Sequence, residues 1–292
     1  MKQQKTAILM TWIAGSKSLM DAREMITAAA RQFSDVKLYA ARRGPVGQTL
    51  AAHTGQAEKA AQLVAGQTWN VTIADCLSQA LDQAVADGVR VLVVQPLYLL
   101  HGLAYDALMD ALLPYYRHFE AIAVGKPLLA CEADLQATAR ALLERTAAYD
   151  DGGTAICLMG HGTTAAENHI YADLLEKFWE SGHRNYYLGT LCAEPSFDTV
   201  RKALRAGGYY QKVVLVPFMV FTGKHARQDL AGGQPGSWKS VLEEEGYQVS
   251  CVLEGLVQMP QVQKIYLNRL KAALDVAGKQ GRHSDTAGGE DR

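Results

Sequence analysis

Three loops in the second half of the chain carry side chains that can bind metals or move protons. His161 stands between two glycines directly after the apolar run 154–159. Cys192 and Glu194 follow the run 185–191, and His225 follows the run 212–217. The carboxyl ends of parallel strands share one edge of a sheet, so these loops can converge there. Histidine, carboxylate and thiolate together suit a divalent ion such as Co, Ni, Fe or Zn.

Each of these residues also has an ordinary structural interpretation. The glycines around His161 are compatible with a tight turn that carries an incidental histidine. Cys192 can be a small buried hydrophobic residue. Glu194 precedes Pro195, and a glutamate there can simply stand at the positive end of a helix. Only the joint placement of the three loops at strand ends favours a metal site.

The elements that would position these loops alternate between short apolar runs and amphipathic stretches. This alternation is typical of parallel α/β sheets. The periodicity predicts strands over 6–12, 36–40, 89–96, 121–124, 154–159, 185–191, 212–217 and 248–253. It predicts helices over 18–33, 46–53, 56–65, 74–87, 103–117, 133–148, 166–181, 196–206, 236–245 and 261–276.

The pattern also repeats within the chain. A helix, a strand and a loop with a His and a Gly occur around residues 74–102 and again around 196–225. We therefore predict an α/β fold of two similar doubly wound lobes with parallel sheets and an active-site cleft between them. The lobes would span 1–130 and 131–277, with the last helix packing back on the first lobe. The polar segment 278–292 would be a disordered tail.

A planar ligand would need an apolar wall and a few polar contacts near these loops. His101 lies in the corresponding loop of the first lobe, and Trp12, Tyr98 and Phe221 lie near strand ends. With Gly162 and Thr163 beside His161, these six residues are the predicted substrate-binding set. Phe218, by contrast, is expected to be part of the core.

Composition excludes several classes of function. Lys and Arg number 29 against 30 Asp and Glu, and no basic run stands out, so nucleic acid is not an expected partner. No Walker loop or GxGxxG motif is present, so neither ATP nor a dinucleotide is expected. No apolar run reaches the roughly 18–20 residues that span a bilayer. Five scattered cysteines indicate a reducing, cytoplasmic setting, and a homo-oligomer is compatible with the sequence.

The sequence resembles the anaerobic, single-subunit (class II) sirohydrochlorin cobaltochelatases of cobalamin biosynthesis, which share the chelatase fold with ferrochelatase. The resemblance covers roughly residues 75–275 and rests on the stretches 158–162, 218–226 and 236–239. It implies ATP-independent insertion of a divalent metal, Co(II), into sirohydrochlorin. The family's two metal-binding histidines fall on His161 and His225, and one imidazole can accept a proton near neutral pH.

The sequence also departs from the family pattern. The family's metal-site glutamate aligns with Cys192, while Glu194 lies two residues further on. Either Glu194 serves as ligand and catalytic carboxylate, or a thiolate replaces it. The loop histidine of the family's first lobe is Tyr98, and the family's N-terminal turn is replaced by Thr11–Ser16. These changes leave three alternatives: a chelatase for Fe or Ni, a non-catalytic tetrapyrrole- or metal-binding protein, or a sugar- or nucleotide-binding α/β protein with incidental histidines.

Overall fold

A computed structural model describes residues 6–13, 18–43, 71–74, 76–207 and 209–286. The predicted helices at 46–53 and 56–65 lie outside these residues, as does the second half of the turn Thr11–Ser16. The chain divides into two compact units. Unit 1 comprises Met1–Ala130 with Gln263–Arg292, and unit 2 comprises Cys131–Val262.

Unit 1 is built on a five-stranded parallel sheet in the order β3-β2-β1-β4-β5. Every residue of the strand 91–96 is buried, as expected for a parallel strand covered on both faces. The strands are β1 (Thr6–Ile13), β2 (Lys37–Arg43), β3 (Val71–Ala74), β4 (Val91–Pro96) and β5 (Ala121–Val124). The helices are α1 (Ser18–Gln32), α2 (Leu77–Ala86), α3 (Leu103–Leu112) with the 3-10 segment Leu113–His118, and the last helix, α8 (Pro260–Thr286).

Unit 2 carries the three loops with metal-binding side chains on a four-stranded parallel sheet in the order β7-β6-β8-β9. The strands are β6 (Thr154–Gly160), β7 (Tyr186–Thr190), β8 (Lys212–Pro217) and β9 (Gln248–Cys251). The helices are α4 (Glu132–Thr146), α5 (Ile170–Glu180), α6 (Phe197–Gly207) and α7 (Trp238–Glu244). The predicted fold class, two parallel α/β units, is confirmed.

The internal repeat seen in the sequence is also a repeat of backbone geometry. In unit 1 the Leu97 N–H donates to the Thr11 carbonyl at 2.8 Å, and in unit 2 the Phe218 N–H donates to Met159 at 2.8 Å. The next contacts correspond as well, because the carbonyls of Tyr98 and Met219 accept from Leu128 and Leu256. The loops after β4 and β8 are therefore held in the same way by the neighbouring chain.

The clearest differences from the sequence prediction concern three elements. The edge strand β3 was missed because it has only four half-buried residues. The predicted helix 103–117 changes to a 3-10 helix after Leu112, since Pro114 lacks the N–H that an α-helix needs. Helix α8 continues to Thr286, where we predicted its end at 276 and a disordered segment from 278. The buried Ala277 prolongs the packed face of that helix, and residues 287–292 lie outside the described chain.

Two general properties follow from the described residues. No helix among them combines the length and apolar character needed to cross a bilayer. All five cysteines are free thiols, and only Cys157 is fully buried.

Candidate active site

The histidines predicted from the sequence meet at the carboxyl edge of the unit 2 sheet. His161 directly follows β6, and His225 lies in the loop after β8, the strand that pairs with β6. Their ring centroids are 5.2 Å apart, with the ring planes at 79°. Both side chains are exposed, His225 by 46%. Two imidazoles in this arrangement can approach one ion placed between them.

Two glycines and a tyrosine hold the backbone on either side of His161. Gly162 has φ +77°, and a Cβ there would lie 2.5 Å from Thr190 Oγ1, so only glycine fits without strain. The Gly162 N–H donates to the Tyr171 hydroxyl at 3.1 Å. A Cβ on Gly160 would lie 2.3 Å from the Tyr171 ring. Tyr171 is buried, and burial raises the pKa of its hydroxyl, which therefore stays neutral.

The backbone places Cys192 next to His161. Beyond the last paired residues of β6 and β7, the Leu191 N–H donates to Gly160 and the Cys192 N–H donates to the His161 carbonyl, at 3.0 Å. The Cys192 side chain is exposed. The alternative interpretation of Cys192 as a buried hydrophobic residue is therefore wrong.

Glu194 is engaged at the start of α6 instead. Its Oε2 accepts hydrogen bonds from the Ser196 N–H at 2.8 Å and from the Thr199 hydroxyl at 2.9 Å. These bonds stabilise the ionised carboxylate and lower the pKa of Glu194. The helix-start interpretation of Glu194 is therefore confirmed by its contacts, and its predicted catalytic and metal-binding role stays a prediction.

His225 begins a short π-helical turn, Ala226–Leu230. Ala226 and Leu230 are fully buried and fasten this turn to the unit 2 core. His225 and Asp229 lie on the exposed side, where His225 Nδ1 is 2.5 Å from Asp229 Oδ2. Single π turns occur often at functional sites.

The stretch 236–239 packs against the end of β7, which precedes the loop with Cys192. Ser237 caps α7 by accepting from the Ser240 N–H at 3.0 Å, and its hydroxyl donates to the Gly232 carbonyl at 2.6 Å. The buried Trp238 ring stacks on that of Phe197, with the ring centroids 4.4 Å apart. A Cβ on Gly189 would lie 2.9 Å from Cη2 of Trp238. The tryptophan therefore packs beneath the end of β7, just before the loop that carries Cys192.

The predicted substrate-binding residues differ in accessibility. His101 is exposed, with its ring 4.2 Å from that of Tyr105. Gly162 is buried and Thr163 is half-buried, with the Thr163 hydroxyl accepting from the Ala165 N–H. The three aromatic residues of the set are buried: Trp12 (0% exposed), Tyr98 (5%) and Phe221 (7%). Burial raises the pKa of Tyr98 to about 12. Phe218 is fully buried, so its expected place in the core is confirmed.

The site as it stands is a pair of imidazoles rather than a complete ligand set. Within the described residues, no three His, Cys, Asp or Glu side chains are grouped closely enough to hold a metal ion together. Asp229 and Tyr171 also contact the site and are not among the residues predicted from the sequence. The spacing of four residues between His225 and Asp229 was a signal for the first, whereas nothing local to the sequence points to Tyr171.

Known proteins share sequence similarity with most of this chain. Residues 57–275 match the family model "Cobalt chelatase (CbiK)". The chain is 31% identical over 202 residues to the sirohydrochlorin cobaltochelatase CbiKC of Nitratidesulfovibrio vulgaris, covering 68% of this chain and 71% of that protein. It is 26% identical over 201 residues to the sirohydrochlorin cobaltochelatase of Salmonella typhimurium, covering 68% and 74%.

A solved structure shows the same fold. SirB from Bacillus subtilis with Fe3+ superposes with a TM-score of 0.61 at 17% identity, over 94% of this chain and 98% of that one. The family model spans most of the chain, including all three loops of the site. This chain therefore belongs to the cobalt chelatase family, CbiK.

Proposed function

We propose that this chain inserts Co(II) into sirohydrochlorin, without ATP, as a step of cobalamin biosynthesis in the cytoplasm. The observation that carries the proposal is the pair His161 and His225, whose ring centroids lie 5.2 Å apart at the edge of the unit 2 sheet. Membership of the cobalt chelatase family supports the metal. The names of the two curated relatives support the tetrapyrrole.

The proposed metal ligands are His161, His225 and Cys192. The carboxylate of Glu194 already accepts two hydrogen bonds at the start of α6, and recruiting it would break both. Cys192 is exposed and its backbone N–H is bonded to the His161 carbonyl, so we assign the third ligand position to its thiolate. A thiolate with two imidazoles is a donor set suited to cobalt and to the softer divalent metals.

The chemistry exchanges one ion for two protons. As Co(II) passes from the protein to the four nitrogens, two pyrrole N–H protons must leave the macrocycle. A neutral imidazole binds the metal while its Nε2 is bare and accepts a proton once the metal has gone. We assign this double role to His161, with His225 and Cys192 as ligands. His161 takes one of the two protons, and the second passes to water at this exposed edge of the sheet. His101, Gly162 and Thr163 are proposed to contact the tetrapyrrole, and Trp12, Tyr98 and Phe221 to shape its surroundings.

The test is anaerobic cobalt insertion followed by absorbance of the tetrapyrrole, with no ATP added. We expect many turnovers per wild-type chain. We expect a loss of about 100-fold or more in His161→Ala, as typical for a lost acid–base group. His169→Ala is the matched control, because His169 is an exposed histidine of the same unit whose ring lies outside the pair. It should keep wild-type activity.

Three outcomes contradict parts of the proposal. Stoichiometric binding of tetrapyrrole or metal without turnover would instead indicate a binding protein. Faster insertion of Fe(II) or Ni(II) than of Co(II) would reassign the metal. Full activity in His161→Ala would remove the histidine pair from the mechanism, even if the wild type inserts cobalt.

A further inference from the structure

The carboxylate of Asp229 contacts His225 directly and has no role in the proposed chemistry so far. Its Oδ2 lies 2.5 Å from His225 Nδ1, four residues back along the chain. An ionised carboxylate only accepts hydrogen bonds, so the proton in this contact belongs to Nδ1 of the imidazole. A neutral His225 imidazole is therefore held as the tautomer whose Nε2 carries no proton.

The π-helical turn enforces this pairing. Ala226 and Leu230 are both fully buried, so the turn is fastened to the core through positions four residues apart. The Ala231 N–H donates to the Ala226 carbonyl, which closes the wider turn. His225 and Asp229, also four residues apart, occupy the opposite side. The two side chains are 46% and 43% exposed, so packing alone does not fix the imidazole and the hydrogen bond must.

His161 has a related arrangement built from the backbone. Its Nδ1 lies 3.1 Å from the Gly162 carbonyl oxygen, which is also only an acceptor. In their neutral forms both imidazoles therefore carry the proton on Nδ1 and leave Nε2 free. Metal-binding histidines in proteins usually donate their second N–H to a carboxylate or a backbone carbonyl in this way.

We propose that Asp229 is the positioning residue of the metal site: it fixes the tautomer and ring orientation of His225 so that Nε2 is presented to the ion beside His161. This inference rests on the proposed function for the identity of the ion. The tautomer itself does not depend on that function, and it can be measured without any metal.

The first experiment uses the metal-free chain labelled with ¹⁵N-histidine, at a pH of about 8, above the ordinary histidine pKa. The signal of His225 is assigned by its loss in His225→Ala. Long-range ¹H–¹⁵N correlations should show protonated Nδ1 and bare Nε2 in the wild type, and a shift toward protonated Nε2 in Asp229→Ala. Protonated Nε2 in the wild type would overturn the inference, whatever the chain does with cobalt.

The second experiment measures Co(II) binding from the visible spectrum of the metal. Asp229→Ala should weaken binding about 10–100-fold, the usual effect of removing such a partner. Asp229→Asn keeps an oxygen that accepts from Nδ1 and should lie between wild type and Asp229→Ala. The matched control is Asp173→Ala. His169 and Asp173 form a second exposed His–Asp pair in unit 2 with the same spacing of four residues. Asp173→Ala should bind cobalt like the wild type.

The two experiments separate the possible failures. At saturating cobalt, the spectrum of Asp229→Ala should match that of the wild type, because the ligands are unchanged. A changed spectrum, or equal weakening in Asp229→Asn and Asp229→Ala, would show that Asp229 binds the metal directly and would overturn the positioning role. The expected tautomer in a wild type that binds no cobalt would contradict the proposed function and leave the geometry of His225 intact.

Discussion

Gly162 offers the sharpest test of how the fold shapes the site. Gly162→Ala should lower the free energy of unfolding for two reasons. An L-residue at φ +77° costs about 1–2 kcal/mol. The new Cβ would also lie 2.5 Å from Thr190 Oγ1 and 3.1 Å from the backbone nitrogen of Ala193, and such overpacking costs about 1–3 kcal/mol more. The backbone around His161 must shift to relieve the contact.

Gly182→Ala is the matched control. Gly182 is in the same unit with φ +92°, but a Cβ there meets no atom within 4 Å. The backbone cost and the effect of alanine on the unfolded chain are shared by both variants and cancel in the comparison. Gly162→Ala should therefore be less stable than Gly182→Ala by about 1–3 kcal/mol, the cost of the close contact alone.

The assay is urea unfolding of the full chain, with Co(II) binding measured on the same samples. Gly182→Ala should bind cobalt like the wild type, and Gly162→Ala should bind it more weakly because His161 is displaced. Equal stability and equal cobalt affinity in the two variants would refute the reasoning. It would mean that the loop after β6 adapts freely and does not hold His161 in place.

Two further predictions concern the neighbours of this loop. Tyr171→Phe leaves the buried Gly162 N–H without its 3.1 Å partner and should lower stability by about 1–3 kcal/mol and weaken Co(II) binding, whereas Tyr149→Phe at the surface should change neither. The lowered pKa of Glu194 means that its contribution to stability is present above the ordinary glutamate pKa and is lost as the pH falls through the lowered value. Glu194→Gln should therefore be less stable than the wild type at neutral pH, and the two stabilities should converge in acid when unfolding is followed against pH. Glu194→Gln should also retain cobalt insertion. A loss of insertion in this variant would restore Glu194 as a ligand.

Much of the fold could be predicted because it depends on local patterns. The apolar stretches 91–94 and 155–159 are buried along their whole length, as expected for strands covered on both faces of a parallel sheet. The ends of elements were less predictable. Pro114 changes the type of helix after Leu112, and Ala277 continues a helix that composition alone would end.

The sequence by itself determined the α/β alternation, the repeat between the two halves and the placement of His161, Cys192 and His225 after strands, because each follows from neighbours along the chain. Only the tertiary structure decided which of these residues meet. The Glu194 carboxylate turns to the start of α6, while the Cys192 backbone is bonded to His161. The contacts of Tyr171 with Gly160 and Gly162 likewise depend on how α5 packs against the sheet. Such contacts are set by packing between distant segments, which the local pattern of polar and apolar residues does not specify.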